Sequence, residues 1–229
     1  AKLEELKAKS FPGGMSYQIS YDVSNFLNAS TEKVVHTLLE AFLLVAFVVF
    51  LFLGDWRSTL IPTLAVPVSL IGTFLFMRLL GVSINLITLF ALVLAIGIVV
   101  DNAIVVVEAV HAKMEHDKVS PFSAVQLVLG EIAGAIIAIT LVMTAVFVPL
   151  MFMSGPTGIF YRQFSVTMAS SIVLSGVVAL TLTPVLCAMI LKPGHHGSPG
   201  RSPIRWLLDA FNRGFERLTV AYVGFLARI

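Results

Sequence analysis

The sequence holds 229 residues, 58% of them hydrophobic and only 12% charged, with a formal net charge of +2. Soluble domains carry about 25% charged residues, so a water-soluble core could not hide this much apolar surface, and a membrane protein is the expected class. The charges lie between apolar runs rather than along a basic stripe, which argues against nucleic acid as a partner.

Residues 1–32 read as the end of a folded segment outside the membrane. "AKLEELKAKS" has no apolar h-region and no initiating Met, so no signal peptide is predicted, and the chain reads as part of a longer polypeptide. "AKLEELKAK" has the pattern of a surface helix end and "FPGG" that of a turn, while Met15, Tyr17, Ile19 and Tyr21 alternate as on a strand. A short α/β remnant is therefore expected ahead of the membrane part.

Residues 33–192 carry five segments long and apolar enough to cross about 30 Å of hydrocarbon, at roughly 34–53, 58–77, 84–107, 133–153 and 166–190. Pro62, Pro67, Pro149 and Pro184 fall inside these spans and predict kinks or breaks. The Lys and Arg residues near the span ends set an orientation. Arg57, Lys113, Lys118, Lys192, Arg201 and Arg205 collect on one side, against Lys33, Arg78 and Arg162 on the other. By the positive-inside rule the N-terminal remnant is periplasmic, and the loop 109–132 and the tail are cytoplasmic. Within that loop Ser120 and Pro121 cap a short helix leading into the fourth span.

Residues 193–229 divide into a Gly/Pro/Ser linker over 194–202 and a helix opened by Ser202 and Pro203. Ile204, Leu207, Leu208, Phe211, Phe215, Leu218, Tyr222 and Phe225 recur at spacings of three and four, opposite Arg205, Arg213 and Arg217. That pattern predicts an amphipathic helix on the cytoplasmic leaflet; a helix packed on a soluble domain is the competing reading. The expected fold class is thus an all-α membrane protein. Five transmembrane helices form a bundle, with the α/β remnant before it and the interfacial helix after it.

Enzyme signals are lacking. Cys187 sits alone in an apolar run and reads as a small buried hydrophobe rather than a reactive thiol. His195 and His196 are adjacent in a Gly/Pro loop, without ligand-like spacing or a third partner, so no metal is expected there. No nucleophile–base pair appears, and no cofactor is expected.

The chemistry concentrates in "AIGIVVDNAIVVVE", residues 95–108. An ionised Asp at a bilayer centre costs about 2.5–3.5 kcal/mol even on the gentlest insertion scale. On a helix, Gly97, Asp101, Val105 and Glu108 share one stripe, and Gly97 would let a neighbouring helix approach closely. Asp101 is therefore expected to face the bundle interior. Burial disfavours an ionised carboxylate and a nearby Lys favours it, so moving a cation can switch such a group between states. This describes a proton relay; the competing reading is a packing device. Asn102 cannot titrate but can hold the carboxylate, or a water beside it. Glu108 is a candidate for proton access at the cytoplasmic end, or a solvated helix-end acid, and Glu40 in the first span is a weaker candidate of the same kind. No Lys or Arg lies deep in any span, so a counter-ion must come from protein outside this chain.

"GVSINLITLFALVLAIGIVVDNAIVVVEAV" resembles the fourth transmembrane helix of resistance-nodulation-division (RND) efflux transporters. "FLGDWRSTLIPTLAVPVSLIGTF", "SGPTGIFYRQFSVTMASSIVLSGVVALTLTPVLCAMILKP" and the tail helix are similar in the family's order, nearest to its hydrophobe/amphiphile multidrug branch. The resemblance implies helices two to six of a twelve-helix protein, the end of a periplasmic porter subdomain, and a cytoplasmic helix joining two halves. It implies a multi-pass protein of the bacterial inner membrane, a homotrimer exporting amphiphilic drugs in exchange for protons, with a periplasmic adaptor and an outer-membrane channel. Asp101 matches the first acid of the family's pair. Asn102 stands where the family usually has a second Asp, which bears on the number of titrating groups and protons per cycle. The family's partner Lys belongs to the second transmembrane half. A heavy-metal exporter of the same fold would favour Met pairs along a route, and the eight Met residues are scattered. A membrane anchor or sensor domain is the reading from another class.

Overall fold

The computed structural model describes residues 23–192, together with Glu5, Lys9, Pro12, Gly214, Tyr222 and Val223. The strand expected over Met15–Tyr21, the linker and most of the helix expected from Ser202 lie outside the described residues. Glu5 and Lys9 are helical, and the Lys9 ammonium reaches the Glu5 carboxylate at 2.7 Å.

The described residues 23–192 form six helices in chain order: α1 (Val23–Leu53), α2 (Trp56–Leu79), α3 (Leu86–Asp117), α4 (Pro121–Met151), α5 (Pro156–Leu180) and α6 (Leu182–Ile190). No strand occurs among the described residues. Among the described residues five spans are long and apolar enough to cross a membrane, the fifth running from Pro156 to Ile190 through α5 and α6.

Local chemistry sets the helix starts. Asp55 caps α2, its carboxylate accepting from the Ser58 N–H at 3.2 Å. Asn85 opens α3 with a capping box: its side chain accepts from the Thr88 N–H, and the Thr88 hydroxyl accepts from the Asn85 N–H. These interactions satisfy N–H groups that have no partner inside the helix. Ser120 caps α4 with Pro121 at its first position, the residues the sequence singled out.

The long loop expected over 109–132 is replaced by helix. α3 continues to Asp117, α4 starts at Pro121, and Lys118 turns the chain at φ 56°. Charged residues end the apolar run there but not the helical period. Val110 and Met114 of α3 bury against a cluster that includes Ala124, Val125 and Val128 of α4, which carries both helices past the apolar run. Lys113 ties the two helices, lying 3.2 Å from Asp117 and 3.3 Å from Glu131. α1 likewise begins at Val23, ahead of the apolar run.

The prolines act unequally. α2 carries Pro62 and Pro67 without a break, and Pro149 falls in the last turn of α4. At Pro184 the ring cannot tolerate the carbonyl four residues earlier, and the helix divides at Thr181. There the Thr181 hydroxyl donates to the Val177 carbonyl at 2.6 Å, and the Thr183 hydroxyl donates to that of Val178 at 3.3 Å.

α3 is the hub, in contact with each of the other five helices. One core cluster joins its first half to Val34 and Val49 of α1, Val66 and Leu70 of α2, and Met168 of α5. A second joins its last half to Ile61, to α4 and to the buried, free Cys187. Leu39, Leu43 and Phe47 of α1 and Leu141, Val142 and Val146 of α4 are exposed. Apolar side chains meet no penalty facing lipid tails.

Candidate functional site

α3 has two distinct faces at its midpoint. Ala91, Ala95, Ile96, Val99, Asn102, Ala103 and Val106 are buried, while Phe90, Leu94, Gly97, Asp101, Val105 and Glu108 form an exposed stripe. The predicted stripe therefore exists, but it faces outward. Asp101 does not point into the bundle formed by the described helices. The physical reason is that the small residues on the other face, Ala91, Ala95 and Val99, are buried in one cluster with Val66 and Leu70 of α2 and Met168 of α5. Gly97 supplies no close contact, for a Cβ added there would meet nothing within 4 Å.

No hydrogen bond or ion pair engages Asp101, Glu108 or Glu40 among the described residues. Asp101 and Glu108 share a stripe but stand seven residues apart, about 10.5 Å along the axis. Direct proton transfer between them is therefore ruled out by distance, and carriers would be needed between them. Glu40 is exposed on α1, whose packing face runs through Val34, Leu38, Phe42, Val45 and Val49. At 100° per residue Glu40 lies on the opposite side of α1 from that face, so the packing of α1 on α3 does not bring it to Asp101.

Asn102 behaves differently from its neighbour. It is 8% exposed, and its amide Nδ2 donates to the Ser175 hydroxyl of α5 at 3.3 Å. That hydroxyl in turn donates to the Val99 carbonyl at 2.8 Å. Asn102 thus anchors α3 to α5 instead of holding the Asp101 carboxylate, the role its position in the sequence suggests. Its amide brings a neutral donor to this bond, and no charge, into the buried face.

Sequence reasoning missed three further features. The Asn85 amide donates to the Gln163 side chain at 2.7 Å, closing α3 on α5 near one membrane face. Ser175 bridges the two helices at mid-span. Beside it, Gly176 packs so tightly that an added Cβ would stand 2.6 Å from the Thr140 hydroxyl of α4. The available signal was the run of small residues on α5, Ser165, Ala169, Ser171, Ser175, Gly176 and Ala179, which marks a close-packing face in membranes.

Comparison with known proteins adds a second line. The whole chain, residues 1–229, matches the model of the AcrB/AcrD/AcrF family. It is 50% identical to multidrug export protein AcrF of Escherichia coli (strain K12), over 100% of this chain and 22% of that protein. Multidrug resistance protein MdtF of the same strain is 46% identical over 96% of this chain and 21% of its own length. Toluene efflux pump membrane transporter TtgE of Pseudomonas putida is 47% identical over 95% of this chain and 20% of its length. The chain thus spans about a fifth of the length of these relatives.

Proposed function

The chain belongs to the AcrB/AcrD/AcrF family, and on that basis we propose that it supplies five membrane-spanning helices of a proton-driven RND multidrug efflux pump in the bacterial inner membrane. Asp101 is the proton-relay acid. Glu108 serves proton access from the cytoplasmic end, and Glu40 is peripheral. The N-terminal residues are periplasmic and the α3–α4 turn is cytoplasmic. The rest of the polypeptide supplies the second transmembrane half and the porter domain, in a homotrimer that works with a periplasmic adaptor and an outer-membrane channel. The relatives' names, multidrug export and toluene efflux, favour amphiphilic drugs and solvents as cargo over metal ions.

The observation that carries this reading is the position of Asp101: an acid without a partner among the described residues, on the open stripe of the helix that touches all the others. A cation arriving on that stripe holds the carboxylate ionised, and its departure favours proton uptake. Each proton supplies about 2.3 kcal/mol per 100 mV, plus about 1.4 kcal/mol per pH unit. That is enough to bias two arrangements separated by a few kcal/mol. A helix in contact with all its neighbours is the one whose shift they all register.

The test is Asp101→Asn in the full-length transporter, assayed for drug efflux driven by an imposed proton gradient in proteoliposomes. The amide keeps the shape but cannot titrate. The expected result is an inserted trimer without coupled efflux, while Asn102→Asp, which loses the amide donor to Ser175, shifts the pH profile and retains transport at reduced turnover. Wild-type efflux by Asp101→Asn would overturn the relay and leave the carboxylate as a packing device.

A further inference from the structure

We infer that Ser175 is a positioning residue for Asp101: its hydroxyl, through Asn102 and the Val99 carbonyl, sets the rotation of α3 that places the acid on the open stripe. The inference rests on the relay reading above and adds a residue on another helix to it.

The geometry flanks the acid. Val99 lies two residues before Asp101 and Asn102 one residue after it, and both are bonded to the same Ser175 oxygen, at 2.8 Å and 3.3 Å. The hydroxyl spends its one proton on Val99 and receives one from Asn102, so donor and acceptor roles are consistent. Ser175 is 2% exposed and Asn102 8%. In apolar surroundings an unmade bond at either site costs more than it would in water.

Adjacent helical residues point about 100° apart. With Asn102 directed at α5, Asp101 is necessarily turned away from it, onto the stripe shared with Gly97 and Glu108. Hydrogen bonds are directional and short-ranged, so a rotation of α3 that moved Asn102 by about 1 Å would carry a 3.3 Å contact beyond bonding distance. The Asn102 amide is neutral at every pH, so this anchor persists whether Asp101 is charged or not, and α3 and α5 shift together at this level. About 100° round from Ser175, α5 is also held closely, where Gly176 packs against Thr140 of α4.

The experiment uses the full-length transporter with Ser175→Ala, Ser175→Val and Ser175→Thr. Val and Thr have nearly the same shape and differ in the hydroxyl. Three quantities are read: the folded trimer fraction, efflux turnover with the apparent KM for an exported dye, and the rate at which a hydrophobic carbodiimide labels Asp101 at fixed pH in the absence of transport. Ser175→Ala and Ser175→Val should lower turnover about five-fold, the equivalent of roughly 1 kcal/mol, at unchanged KM and trimer fraction. They should change the Asp101 labelling rate by a similar factor, and Ser175→Thr should restore both. Wild-type turnover and labelling in Ser175→Val overturns the inference. So does an equal loss in Thr and Val, which would make volume, not the hydroxyl, decisive. If Asp101→Asn transports normally while labelling still follows the Ser175 hydroxyl, the relay falls and the positioning role stands.

Discussion

Gly176→Ala probes the tightest crossing in the bundle. The added Cβ would sit 2.6 Å from the Thr140 hydroxyl oxygen, 3.0 Å from its methyl group and 3.3 Å from its Cβ. Ordinary contacts of this kind lie near 3.5–4.0 Å, so α4 and α5 must separate by about 1 Å, or Thr140 must leave its rotamer. A gap of that size forfeits about a quarter to a half of each dispersion contact along the crossing. Overpacking of this kind costs about 1–3 kcal/mol. Thr140 also supplies the relief. Its hydroxyl is buried without a hydrogen-bond partner among the described residues, so Thr140→Ala removes both of the closest atoms and gives up no bond made there by that oxygen. The double variant Gly176→Ala with Thr140→Ala should recover most of the loss, a coupling of about 1 kcal/mol or more. The assay is thermal unfolding of the detergent-solubilised full-length protein, with the two single variants and the double variant in one series. A Gly176→Ala protein as stable as wild type would refute the argument, as would a double variant no better than the single.

At the start of α3, Asn85→Ala removes the acceptor for the Ile87 and Thr88 N–H groups and the 2.7 Å bond to Gln163. A loss of about 1–2 kcal/mol is expected in the same unfolding assay, with a smaller loss for Gln163→Leu, which spares the cap. Equal losses in the two variants would show that the cap contributes nothing. At the other end, Lys113→Met deletes both ion pairs that tie α3 to its own last turn and to Glu131. Its effect on the melting temperature should be small at low salt and vanish near 1 M salt, where the screening length is about 3 Å. A difference that survives high salt would assign the role of Lys113 to the packing of its stem.

The number and order of the spans, and the presence of one acid at mid-helix, are legible in the residues alone. Span length is set by bilayer thickness and span identity by a run of apolar residues, both local properties that need no partner to be read. The Asp55, Asn85 and Ser120 caps are equally local, although the sequence pattern singled out only Ser120. Where each helix ends is not local. The charged stretch after Glu108 reads as a loop because apolar periodicity fades there. It is helical because Val110 and Met114 bury against residues of α4 ten or more positions further along the chain. The candidate site shows the same division more sharply. Asp101 and Asn102 are neighbours on one turn, and nothing in their own stretch chooses which of them faces inward. Packing turns Asn102 inward, because Ser175, more than seventy residues away, offers a hydroxyl at bonding distance and the small side chains of α3 on that face allow α5 to approach. A neutral amide that makes this bond is buried at far lower cost than a carboxylate, which in that place would need a cation, and no Lys or Arg lies deep in any of these spans.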